Sequence, residues 1–155
     1  MLKLSPIELF FRAIPEGFLF ILAIYSFSRI KINKKRYVLS SFLYSILVFL
    51  VRFLPITYGG HIVINIGIAI LIGHLINKID MLDIIKSVIG IFIIQFSSEG
   101  VNLLIIQTFA KSNIEKIVSD PVLKTIYGIP SLVIVAVVIT IYYLLMNNKG
   151  KLKNV

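Results

Sequence analysis

"IELFFRAIPEGFLFIL", residues 7–22, is apolar enough to cross a membrane, yet Glu8, Arg12 and Glu16 stand four residues apart along it. Positions i and i+4 share one face of a helix, so the three charges form a single stripe. Charged groups are costly in hydrocarbon and, where they occur there, face a protein interior or a wet cavity. Arg12 is placed to pair with either glutamate, as buried charges need a partner. The stripe is therefore predicted to point into a bundle and away from lipid.

The rest of the chain repeats the apolar pattern. Hydrophobic residues make up 58% of the 155 positions, above the roughly 45–50% of an ordinary soluble domain, and the mean hydropathy is +0.98. This predicts an integral membrane protein. The net charge of +9 comes from sixteen Lys and Arg residues scattered between apolar runs, not gathered on a polar domain as a nucleic-acid binder would have them, so no nucleic-acid partner is expected. No cysteine is present, which excludes disulfides, thiolate metal ligands and a cysteine nucleophile. Glu8 and Arg12 interrupt what would be the core of a cleaved signal peptide, and residues 7–30 are expected to remain as a permanent span.

A spanning helix needs about 20 mostly apolar residues. Five stretches qualify: about 7–28, 37–54, 56–76, 87–109 and 126–146. The third is the least secure, because Gly59, Gly60 and His61 can belong to the preceding turn. The expected fold is all-α, a single integral membrane domain over 1–155, with the lipid bilayer as its first partner and the cell membrane as its multi-pass location. Orientation follows from the loops. "RIKINKKR", 29–36, has five basic residues and no acid; the tail "NNKGKLKNV" has three lysines; "PITYGG", 55–60, has no charge. Short basic loops stay in the cytoplasm, so 29–36, 77–86 and the tail are expected inside, with the N-terminus, 55–60 and 110–125 outside. Asp80 with Asp83 three positions on can cap the fourth helix. "SNIEKIVSDP" can form a short amphipathic lid from Ile114 to Val118 before Pro121 stops it.

With this topology the polar groups fall in one layer. Glu16 and Glu99 each lie about 14 Å below the outer boundary at 1.5 Å per residue. Arg12 is one turn above Glu16, Arg52 near the outer end of the second helix, and His61 opens the third with Asn65 a turn down. Gln95, Glu99 and Asn102 line the fourth at helical spacing. The candidate ligand-binding set is Arg12, Glu16, Arg52, His61, Gln95, Glu99 and Asn102. Glu8 and Arg52 also fit the simpler role of interface anchors, and Arg12 with Glu16 that of a structural ion pair. His74, Tyr142 and Tyr143 read as interfacial, Pro15 and Pro130 as kinks that free carbonyls, and Ser41 with Ser45 as a small-residue packing pair.

Catalysis is not expected. Ser97 and Ser98 adjoin Glu99, but neither histidine is placed to serve them, and no metalloprotease, nucleophile-elbow or phosphate-loop motif occurs. Glu16, Glu99 and His61 are a conceivable but disfavoured metal set, and no cofactor is called for. A polar cluster open to the outside favours a non-enzymatic sensor or ligand-binding module. Its ligand would be a peptide or small amphipathic signal, with Arg12 or Arg52 meeting a carboxylate and Glu16 or Glu99 an amine. A proton- or cation-coupled transport component and a membrane assembly or immunity protein are the alternatives; no inverted repeat of the carrier kind is visible.

"AIPEGFL" in the first span, "VRFLPITYGGH" from the second to the third, and the basic loop between them resemble the amino-terminal membrane sensor region of peptide-sensing GHKL-type histidine kinases of Gram-positive bacteria. The resemblance covers about the first half of the chain. It implies a polytopic sensor whose outer face receives a signal and whose last helix leads to a kinase. No dimerisation helix, phosphoacceptor histidine or ATP-binding domain follows Met146 in these residues. The implied role is a sensor-like module acting with a cytoplasmic or membrane protein partner, or a piece of a longer protein.

Overall fold

A computed structural model describes residues 9–54, 60–109 and 121–154. Over these residues the chain forms five helices: α1, a wide π turn Leu9–Ala13 running into Ile14–Phe27; α2, Lys34–Val51; α3, Gly60–Leu75; α4, Met81–Phe109; and α5, Pro121–Asn148. Glu8 and the expected lid at 114–118 lie outside the described residues. The wide turn precedes Pro15, which has no N–H to give to the turn before it. At α2 the Asn33 side chain accepts the Arg36 N–H at 3.3 Å and so starts the helix just after the basic loop.

α4 begins at Met81, with Asp80 at the N-cap position as its sequence suggests and the Asp80 carbonyl accepting the Ile84 N–H at 3.0 Å; the expected span at 87–109 is the later part of this helix. α5 is described from Pro121 to Asn148, and includes the expected span at 126–146. α3 starts at Gly60, leaving a helix of 16 residues, about 24 Å long at 1.5 Å per residue. By length and composition two helical stretches, Met81–Thr108 and Ile126–Asn148, suffice to cross a membrane, while Ile14–Phe27 and Gly60–Leu75 are apolar but shorter.

α1 is the hub. It packs on α2, α3, α4 and α5, which follow one another around it, each against the next. Its Phe20, Ile21, Ile24 and Tyr25 meet Tyr44 and Val48 of α2, Ile72 of α3, Ile84, Val88 and Ile91 of α4 and Ile139 of α5 in one core. α1 and α2 approach closely at Gly17, where an added Cβ would run into the Ser45 side chain. Ser45 in turn donates to the Ser41 carbonyl at 2.7 Å and reaches the Ile14 carbonyl at 3.4 Å. The small pair Ser41 and Ser45 thus packs as the spacing suggests.

The outward faces reverse the pattern of a soluble bundle. On α2, Ser40, Ser41 and Ser45 are buried while Leu39, Phe42, Ile46 and Leu50 are exposed; on α4, Ser87 and Ser98 are buried while Leu82, Ile89, Ile93 and Phe96 are exposed.

Polar contacts tie one end together. The Tyr25 hydroxyl donates to Asn77 Oδ1 at 3.0 Å, and the Ser28 and Ser87 hydroxyls share a hydrogen bond of 3.0 Å. Loop 29–33, the 76–80 turn and the tail all lie here, so the two basic segments and the charge-balanced 76–80 turn gather at the same end. Tyr142 packs on Phe27 with ring centroids 5.1 Å apart, and the Tyr143 hydroxyl accepts the Ile32 N–H at 3.3 Å. Both tyrosines are half-buried and hold the end together as well as bordering it. Tyr25→Phe is expected to cost about 1–2 kcal/mol, since the Asn77 side chain is buried with its Nδ2 already unpartnered. A lowered thermal midpoint in detergent checks this.

Candidate functional site

Away from the basic end, the charges of the first helix meet those of its neighbours. Glu16 is the junction. Its Oε1 accepts Gln95 Nε2 of α4 at 2.7 Å, and its Oε2 faces Arg52 Nη2, at the end of α2, at 3.4 Å. Arg52 and Glu16 are 25% and 22% exposed, so Arg52 turns inward to an ion pair and does not act simply as an interface anchor. Arg12 reaches across to Glu99 of α4, Nη2 to Oε1 3.8 Å. The i, i+4 pairing of Arg12 with Glu16 is thus replaced by two interhelical pairs. One turn of helix brings Arg12 and Glu16 onto the same face, but each looks toward a different neighbour: α4 carries Glu99, and α2 supplies Arg52.

The two pairs border two cavities. The larger, about 60 Å³, lies between Glu16 and Gly17, Tyr44 and Arg52, Asn65 of α3, and Phe92 and Gln95. At about 30 Å³ per water it has room for about two waters or one small polar group. Asn65 Oδ1 is buried there without a partner, an acceptor in want of a donor. The smaller cavity, about 10 Å³, is bounded by Arg12, Glu16, Gln95, Glu99 and Ser131. Glu16 and Gln95 form the wall between the two. Two arginines and two glutamates sum to zero charge, so the network is balanced within itself.

The other candidates fall at the edges. Asn102 Nδ2 donates to the Tyr127 carbonyl of α5 at 2.7 Å, one residue on from the Ile126 carbonyl that Pro130, lacking an N–H, leaves without its helical donor. Asn102 thereby clamps α4 to α5. His61 Nδ1 bonds the Val51 carbonyl at 3.1 Å; a carbonyl only accepts, so this nitrogen carries the proton. Among the described residues no three acidic or histidine side chains gather as a metal site. His74 caps the other end, its Nδ1 on the Ile79 carbonyl at 3.1 Å. Ser97 is exposed and donates to its own helix at Ile93, with no base poised on it.

Tyr44 and Gly17 belong to the site without having been singled out for it. Tyr44 stacks on Phe20, centroids 5.0 Å apart, and reads in the sequence as one more residue of an apolar run. Gly17 carried a usable signal: a small residue beside Glu16, to be set against the small pair on α2.

The arrangement can exchange partners. A carboxylate arriving at Arg12 meets the looser pair, and an amine arriving at Glu99 meets a carboxylate that is 42% exposed. No protein-family model, curated protein or solved structure matches this chain, so its function is argued from these residues and their geometry.

Proposed function

We propose that the chain is a multi-pass membrane protein of five spans, N-terminus outside and C-terminus inside the cell membrane, and that it is a non-enzymatic sensor or ligand-binding module. The apolar outer faces with serines turned inward support the membrane reading. The gathering of loop 29–36, the 77–86 segment and the tail at one end supports the orientation, because short basic loops stay in the cytoplasm. A single-cysteine variant at Asn33 in this cysteine-free chain is expected to label with a membrane-impermeant maleimide only after the cells are opened. Labelling in intact cells would overturn the orientation.

The observation that carries the ligand reading is Glu16, bonded at once to Arg52 and Gln95, on the wall of a cavity where Asn65 has a free acceptor. A cavity of about 60 Å³ takes a single polar group, so the ligand is a small amphipathic molecule or the end of a peptide that inserts one amine or carboxylate. The incoming group competes for the Arg12–Glu99 pair. Because α1 touches every other helix, a shift of Arg12 and Glu16 would reach the basic end through Tyr25 and Ser28. The resemblance to histidine-kinase sensor regions makes a kinase or its response regulator the expected partner.

Native mass spectrometry of the protein extracted gently from its host's membranes tests this. A kinase, a regulator or a small molecule bound in fixed ratio supports sensing, and a bound ATPase contradicts it. A transport component is the second reading, favoured by Glu16 and Gln95 being shared between two adjoining cavities. Proton-coupled uptake lost in Glu99→Gln would select it.

A further inference from the structure

At the basic end the fold presses like charges together. α5 ends in a turn at Gly150, φ 62°, with the Lys151 N–H bonded to the Met146 carbonyl at 3.1 Å and the Gly150 N–H to Asn147 at 3.0 Å, the paired bonds of a Schellman cap. The turn sends the tail back across the 29–32 loop. There Lys31 N–H donates to the Lys153 carbonyl at 2.9 Å and Lys153 N–H to the Arg29 carbonyl at 2.7 Å, a parallel bridge between Ile30 and Lys153. Ile30 and Leu152 are buried beneath it, so the clasp has an apolar floor.

Its upper side is cationic. Arg29, Lys31, Lys149, Lys151 and Lys153 are all exposed, and neither 28–36 nor 147–155 contains an acid. Bridged backbones lie about 5 Å apart, which brings these cations within the distance at which surface charges interact. Arg29 moreover adopts φ 55°, a left-handed conformation that favours glycine. In the 77–86 segment Asp80 and Asp83 are matched in number by Lys78 and Lys86, so that segment brings no surplus negative charge. Among the described residues of loop 29–33 and the tail, the clasp's cations have no acid in their own segments.

We propose that this clasp is a binding surface for anionic phospholipid headgroups and closes on them. The inference rests on the membrane reading above. A lipid is the occupant because the cations sit where the exposed apolar faces end, close to Leu144 and Leu145 of α5, which is the level of headgroups; a pair of phosphate oxygens can meet loop and tail cations together.

The test uses the full chain with spin labels on Asn33→Cys and Asn154→Cys, reconstituted in nanodiscs of phosphatidylcholine alone or with phosphatidylglycerol. The expected result is a short, narrow label distance with phosphatidylglycerol and a longer, broad one without it. Adding Lys151→Gln and Lys153→Gln is expected to lower the closed-to-open ratio in phosphatidylglycerol about 30-fold, since each cation near an anionic surface contributes about fivefold. Identical distances in the two lipids would overturn the proposal while leaving the membrane reading intact. Closure in phosphatidylcholine on adding inorganic phosphate would overturn the lipid as occupant. Failure to enter either nanodisc would sink the membrane reading and the proposal with it.

Discussion

Glu16→Ala is expected to destabilise the protein by about 2 kcal/mol, lowering its thermal midpoint in detergent by about 4–8 °C. Removing one member of a buried ion pair costs about 3–5 kcal/mol when the other charge is left without solvent or partner. Glu16 and Arg52 are each about a quarter exposed, which reduces that cost. The mutation also takes the acceptor from Gln95, held at 2.7 Å, so two neighbouring helices lose their link to α1 in one step. Glu16→Gln keeps the shape and one hydrogen bond and is expected to cost about 1 kcal/mol. If the alanine and glutamine variants melt together with the wild type, the Glu16 junction carries no stability. If the alanine variant is as stable as wild type but loses bound ligand, the pair serves function alone.

Gly17→Leu is expected to have the larger effect, with little folded protein recovered. Even a single added carbon would occupy the space of the Ser45 side chain and meet its backbone, and overpacking of a tight interface costs about 1–3 kcal/mol. A leucine adds three further carbons and would wedge α1 from α2, pulling Glu16 from Arg52. The milder Gly17→Ala is expected to recover when combined with Ser45→Gly, since contacting residues couple. Solubilised yield and a size-exclusion profile read the result. A double variant no better than Gly17→Ala alone would show that the close approach is not what limits packing.

The two sites differ in how far the sequence foretold them. That Glu16, Gln95, Glu99 and Arg52 converge follows from counting residues along apolar runs, because depth depends only on rise per residue. Who pairs with whom does not follow. Arg12 and Glu16 are neighbours on one helix, yet α2 and α4 flank α1 and offer each charge a partner across an interface, a matter of rotation about helix axes that spacing leaves open. Arg52 looks like a surface anchor because it stands near a helix end; the close Gly17–Ser45 approach is what brings it over Glu16. The start of α4 at Met81 is legible in Asp80 as its cap, and polar residues such as Asp83 and Lys86 continue the helix readily ahead of the apolar run. A single backbone bridge such as Ile30–Lys153 has no period in the sequence, so the clasp could not be anticipated from it.

Loop and packing features also separate what stabilises from what binds. Tyr25, Asn77, Ser28 and Ser87 close one end with hydrogen bonds of 3.0 Å, whereas the Arg12–Glu99 pair at 3.8 Å is longer than a hydrogen bond. On the proposed ligand reading, exchange would take place at the looser pair and the tightly bonded end would relay the movement of α1.

The claim on which the account turns is that a polar group from outside can reach the cavity beside Glu16. The direct measurement is the reaction of a single cysteine at Asn65 with a small cationic methanethiosulfonate reagent in intact cells. The account predicts modification from outside, and faster modification in Gly17→Ala if loosening α1 from α2 widens the way in. Modification that occurs only in inside-out vesicles, or not from either side in folded protein, would contradict it.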